Sequence, residues 1–332
     1  MSTSAVVARP VSGQPIWRRL IGFNLITALA LGVGGYFLGN LIGHHIPGKT
    51  YKYEEKTGEN DISLLLGYTF GVIGFLIGLG FANYPLSRMF GHPASLREKE
   101  EEGWTRYFGL CTDHKVVGMQ YLVGVGFFFF IGGLNAMLIR GELLNTTPTF
   151  VGPGQYISLV GIHGTMMMGI MTSGILGPFA NYFVPIMIGS RRMAFPRIEA
   201  LTFWLLMAAG VVLVSTIFFG GFPTGWTGYQ PLNDQAVRGM DSYIIFFALV
   251  GISMCFLGLN MIVTIITMRA PGMTWSRLPI FVWSVFATAV LMVLAAPTLV
   301  ATLLMSALDR TIDTNFFVAA GGGSSYLYEN LF

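Results

Sequence analysis

The chain has 332 residues, of which 53% are hydrophobic and only 11% are charged, and its mean hydropathy is +0.64. That balance excludes a disordered protein and an ordinary soluble domain, in which about a quarter of the residues are charged. Two cysteines, Cys111 and Cys255, supply neither a disulfide framework nor a cysteine metal cage, and a thinly spread net charge of +3 excludes nucleic acid as a partner.

Seven stretches carry no charge at all: 20–48, 62–87, 116–139, 143–190, 200–233, 242–268 and 278–308. All 35 Asp, Glu, Lys and Arg residues lie outside them. Each stretch reaches the ~20 residues a helix needs to cross a bilayer. A soluble helix keeps a polar face and could not sustain such runs. The expected fold is therefore an all-α membrane protein with seven transmembrane helices.

The polar start, residues 1–19 with Arg9, Arg18 and Arg19, looks like the opening of a signal peptide. The apolar run that follows is too long for one and has no convincing cleavage site. The first helix is rich in glycine (Gly32, Gly34, Gly35, Gly39, Gly43), and small residues let helices approach closely in lipid. His44 and His45 end that helix. Neighbours on a helix point about 100° apart, which does not suit one shared metal ion.

Residues 97–106 are dense in Glu, Lys and Arg and read as a solvated linker. They divide an N-terminal two-helix extension, 1–106, from a main part, 107–332. Alternate loops hold 13 and 6 Lys and Arg residues, and the richer set marks the cytoplasmic side. The N-terminus is then inside and the C-terminus outside.

Ionisable residues within the membrane are the informative ones, because burying them is costly. His163 lies inside the uncharged run 143–190, seven residues past Tyr156, where the helix is expected to begin. Its imidazole could bond across helices, or it could be an axial ligand of a haem iron. Met166, Met167 and Met168 follow it, as core packing or as soft lining for a large flat cofactor.

The local motifs bear on that choice. Thr112-Asp113-His114-Lys115, Leu138-Ile139-Arg140-Gly141-Glu142-Leu143, Gln155-Tyr156 and His163-Gly164 occur in order. Asn181-Tyr182-Phe183-Val184-Pro185, Met193-Ala194-Phe195-Pro196-Arg197, Thr224-Gly225-Trp226-Thr227-Gly228-Tyr229 and Leu308-Asp309-Arg310 follow, with Gly321-Gly322-Gly323 near the end. From Cys111 onward, over about two-thirds of the chain, this series resembles subunit I of the haem–copper oxidases. Nitric oxide reductases of the same superfamily resemble it less well. A non-catalytic scaffold or a transporter is the alternative from another class, although no inverted repeat of the kind transporters carry is evident.

The resemblance implies roles residue by residue. His163 matches the first axial ligand of the low-spin haem, and Arg140 matches an arginine at that haem's edge. Tyr156 and Trp226 match residues beside its propionates. Tyr229 shares that turn, although Gln230 stands where the family has proline. The haem is expected to be of type a. A complete subunit would add a second haem and copper, work with oxidase subunits II and III, and take electrons from cytochrome c or a quinol at the plasma membrane. It would reduce O2 to water, in the manner of an aa3-like cytochrome c oxidase, with proton translocation.

Two departures stand out. Arg192 occupies the place of the family's proton-uptake aspartate, while Asn181, deeper on that route, is present. Glu199, a few residues on, could substitute for that aspartate, although a glutamate in an exposed loop is more often just a solvated charge. The chain also ends before the family's copper-ligand histidines, the second low-spin haem ligand and the high-spin haem ligand, so the chain by itself is expected to be inactive.

Overall fold

The computed structural model describes residues 24–47, 61–90, 104–144, 151–235, 239–312 and 314–332. The polar start, most of the linker, Arg238 and Asp313 lie outside them. Among the described residues there is no strand.

Two helices, α1 (Asn24–His44) and α2 (Asp61–Gly78), form an antiparallel hairpin. Glycine makes their contact. A Cβ on Gly35 would fall 2.3 Å from the Phe70 carbonyl oxygen, and one on Gly39 would fall 2.2 Å from that of Leu66. Gly74, on α2, meets the Leu31 carbonyl oxygen at 2.3 Å in the same way. The two backbones thus touch without side chains between them, as dispersion-driven packing in lipid favours. Gly34 faces open space and takes no part.

The expected second span, 62–87, is interrupted. Gly80 adopts φ +98°, which a side-chain-bearing residue rarely tolerates, and the chain turns there before the short α3 (Asn83–Met89). At 1.5 Å per residue, the 18 residues of α2 reach about 27 Å, slightly less than a bilayer's hydrocarbon core. Among the described residues, six other helical segments are long and apolar enough to cross a membrane. The chain is a multi-pass membrane protein by this measure.

The main bundle begins with α4 (His114–Glu142), capped by the Asp113 carboxylate, which accepts from the Lys115 amide at 2.9 Å. The next span is composite. It runs through α5 (Pro153–Thr165), a wide π-helical segment at Met166–Thr172, and α6 (Ser173–Met187). Then come α7 (Pro196–Ser215), the short α8 (Leu232–Gln235), α9 (Gly239–Thr267), α10 (Ile280–Ile312) and the terminal α11 (Ser325–Leu331). Helix α4 packs on α5 and α6, and α9 packs between α7 and α10. The α1–α2 hairpin docks on this bundle through Phe75 against Trp204, with ring centroids 5.8 Å apart, and through Tyr68, which accepts from Ser242 Oγ at 3.3 Å.

At one end of the bundle, α9 fastens the turn between α6 and α7. Asn260 Oδ1 accepts from the Phe195 amide at 3.0 Å, and Thr264 Oγ1 accepts from the Ala194 amide at 3.0 Å. At the other end, Arg310 is not the loop charge that the uncharged runs suggest. It is fully buried in the last turn of α10, with its Nε 2.7 Å from Asp241 Oδ1. Beside it, the Asp309 carboxylate accepts from the Phe316 and Phe317 amides at 2.9 and 2.8 Å and so closes the turn after the helix.

Candidate functional site

His163 sits in the last turn of α5, and its Nδ1 lies 2.9 Å from the carbonyl oxygen of Gly132 on α4. A carbonyl can only accept, so Nδ1 carries the proton. The Nε2 lone pair is therefore free and the ring is fixed in direction, which is how a ligating histidine is prepared. Methionine side chains close over Gly132: a Cβ there would fall 2.1 Å from Met167 Cε, the mobile end of that side chain, and 3.4 Å from Met166 Sδ. One turn along α4, Asn135 is buried and its Nδ2 has no hydrogen-bond partner, a donor waiting for a group. An imidazole held through Nδ1, with Met166 and Met167 packed beside Gly132 and an orphaned donor one turn away, has the donor set that the edge of a haem site would use.

The other expected residues are placed as follows. Tyr156 lies two turns before His163, and residues seven apart share a face of a helix. Trp226 is brought to the same place from the loop after α7, since a Cβ on Gly164 would lie 3.3 Å from the Trp226 Cβ. Its carbonyl accepts from the Tyr243 hydroxyl at 2.8 Å, which holds the loop to α9. Arg140 is exposed in the last turn of α4, eight residues beyond Gly132 toward the Tyr156 end. Tyr229 is half-exposed and packs edge-on against Tyr328 of α11 at 6.3 Å, not against α5. Burial raises the Tyr328 phenol above its ordinary pKa, and its hydroxyl donates to the Thr227 carbonyl at 2.9 Å.

At the opposite end of the bundle lies a second group of polar residues. Asn181 is fully buried on α6, and neither its Oδ1 nor its Nδ2 has a partner. Its carbonyl meets His114 Nδ1 at 3.0 Å, tying α6 to the start of α4. Arg192 is exposed in a turn closed by Ser190, whose Oγ donates to the Arg192 carbonyl at 2.6 Å.

Glu199 is not the exposed loop residue the sequence suggests. It belongs to the first turn of α7 and is 0% exposed, with both carboxyl oxygens unpartnered. Pro196 starts α7, and a proline in that position was the available signal that Glu199 falls inside a helix. Farther along, the Tyr121 hydroxyl donates to Thr202 Oγ1 at 2.8 Å, Thr202 Oγ1 donates to the Glu199 carbonyl at 2.7 Å, and Ser253 Oγ donates to the Thr202 carbonyl at 2.8 Å.

The family model described as "Cytochrome C and Quinol oxidase polypeptide I" matches residues 116–332. Cytochrome c oxidase subunit 1 of Synechocystis sp. is 40% identical over 230 residues, covering 69% of this chain and 42% of the relative. The subunit of the same name from Thermostichus vulcanus is 40% identical over 243 residues, covering 72% and 44%, and that of Bacillus subtilis is 38% identical over 241 residues, covering 72% and 39%. The chain thus spans about two-fifths of the length of these relatives. Haem and copper are bound by this family, whose subunit I works in a complex with other oxidase subunits. The match covers well over half of the chain, including both groups of buried polar residues, and the chain belongs to the cytochrome c and quinol oxidase polypeptide I family.

Proposed function

We propose that this chain forms the low-spin haem side of a respiratory terminal oxidase subunit, with His163 as one axial ligand. The observation that carries the reading is the Nδ1–Gly132 hydrogen bond at 2.9 Å, which leaves Nε2 for a metal. Haem, when bound, supplies one-electron redox chemistry. The chain's residues bind and tune it. His163 gives nitrogen, and Trp226 and Tyr156 offer N–H and O–H donors to propionates. Arg140 brings a fixed positive charge, which favours the reduced state. Tyr229 has the weaker part, as an interfacial anchor beside α11.

A haem of type a held here would suit an aa3-like oxidase, a plasma-membrane complex with subunits II and III, and the activity we assign to that whole enzyme is reduction of dioxygen to water with electrons from cytochrome c or a quinol, coupled to proton translocation. On this reading the share of the chain in the cofactor set is the low-spin haem, and the chain by itself turns over no oxygen. The test is His163→Ala in the full-length subunit. Loss of the low-spin spectrum and of oxygen consumption, with subunit still in the membrane, is the expected result. A retained low-spin spectrum would leave His163 as a structural histidine.

A further inference from the structure

The α1–α2 hairpin is fastened to the main bundle by the Phe75 ring on Trp204 and by the Tyr68 hydroxyl, which bonds with Ser215 of α7 and Ser242 of α9. It does not close against the bundle everywhere. A cleft of about 820 Å³ remains beside these fastenings, walled by α1, α2, α4 and α7. That volume lies within the range of about 300–1,000 Å³ usual for ligand sites.

The walls are hydrocarbon and aromatic rings. Leu29 and Val33 of α1, Val123 and Phe127 of α4, and Val211 of α7 line the cleft with side chains that are themselves exposed. The cleft therefore opens sideways, to whatever surrounds the helices. Left empty, it would forfeit dispersion contacts along every wall. Water does not fill apolar space of this kind, whereas a bilayer offers acyl chains at the same depth.

The end of the cleft where α4 begins is polar. Tyr107 and Gln120 line it there. The exposed Arg106 donates from Nη2 to the Tyr107 hydroxyl at 3.1 Å, with its guanidinium 5.1 Å from that ring. Gln120 is 3% exposed, and its Nε2 donates to the Tyr107 and Gly109 carbonyls at 3.0 Å each. Its Oε1 has no partner, which is an acceptor left for a ligand's donor. A cation beside a buried, unsatisfied acceptor calls for a headgroup with both a negative charge and a hydroxyl.

We infer that this cleft binds one phospholipid of the phosphatidylglycerol type. Its acyl chains fill the gap between hairpin and bundle, its phosphate meets the Arg106 guanidinium, and a headgroup hydroxyl donates to Gln120 Oε1. The lipid thus forms part of the seam that holds the N-terminal hairpin in place. The site lies apart from His163 and does not depend on the haem reading.

The experiment uses the protein in nanodiscs of equal parts phosphatidylglycerol and phosphatidylcholine, re-extracted in mild detergent, with retained lipid counted by mass spectrometry. One phosphatidylglycerol per chain should remain. Arg106→Gln, at an exposed position that leaves the fold intact, should lower the preference over phosphatidylcholine about fivefold, the share of one basic residue at an anionic lipid surface. Val211→Trp should fill the cleft and expel the lipid. Leu291→Trp, at a position equally exposed at 65% on α10 but away from the cleft, should leave retention unchanged. Equal retention of the two lipids, a lipid that survives Val211→Trp, an isoprenoid quinone bound in its place, or no retained lipid would each overturn the inference.

Discussion

Arg310 Nε and Asp241 Oδ1 are 2.7 Å apart, with side chains 0% and 3% exposed, and they join the last turn of α10 to the first turn of α9. Arg310 Nη1 also donates to the Asn233 carbonyl, so one guanidinium secures α8 as well. Removing one partner strands a buried charge. Arg310→Met should cost about 3–5 kcal/mol, whereas Arg310→Met with Asp241→Asn should recover part of it. Thermal unfolding in detergent, followed by tryptophan fluorescence, measures both.

The two sides of the haem reading separate by mutation. His163→Ala removes a coordinating nitrogen, and no other histidine lies on α5 or the segment after it to take over. Arg140→Ala removes only charge at the edge. The low-spin band should disappear in the first case. In the second it should persist, displaced, with a lower haem potential in a redox titration. Equal effects from both would place Arg140 in the fold and not at the haem.

The α1–α2 contact predicts a sharp contrast between two glycines on one helix. Gly39→Leu forces a side chain into the Leu66 carbonyl and should cost at least about 1–3 kcal/mol, the usual range for overpacking. Gly34→Ala meets nothing within 4 Å and should be neutral or slightly stabilising, since alanine is the better helix former. Disulfide trapping between cysteines placed across α1 and α2 reads the outcome directly.

Topology is open to the same kind of measurement. With seven crossings, a tag at the N-terminus should be accessible from the cytoplasm and one at the C-terminus from outside. The crossing to watch is α2, at about 27 Å. If both tags lie on one side, α2 does not span.

Loading the chain alone gives a further check. Expressed as these 332 residues, it should bind no copper and should hold haem poorly, because on the proposed reading His163 would give one donor where a low-spin iron needs two. Metal analysis and a pyridine haemochrome assay of the purified chain would show it. Stoichiometric haem bound by a single copy would contradict it.

Hydropathy made most of the helices visible because water-facing helices need charge, and only lipid tolerates uncharged runs of this length. It misplaced Glu199 and Arg310 for one common reason. Both sit at helix ends beside an uncharged run, where a charge ordinarily meets solvent, and only three-dimensional packing reveals that other helices cover them. The break at Gly80 was hidden because glycine is equally at home in a close helix contact and in a positive-φ turn, and α1 and α2 use it for both. His163 was legible from its neighbours in sequence. Its bond to Gly132 was not, since a carbonyl oxygen has no signature in a sequence.

His163 and Asn181 are eighteen positions apart, which in an unbroken α-helix is five full turns and puts them on one line. The wide segment Met166–Thr172 spoils that alignment, because each turn there takes up more residues than an α-turn does. It works as a phase shifter between the two halves of one membrane crossing, letting each half meet the bundle at its own angle. Evolution can therefore not treat the methionine run as filler whose length is free. Dropping a single residue from it would leave every side chain at both ends intact, yet rotate one half against the other by about 100°, so that either the imidazole or the amide would point the wrong way.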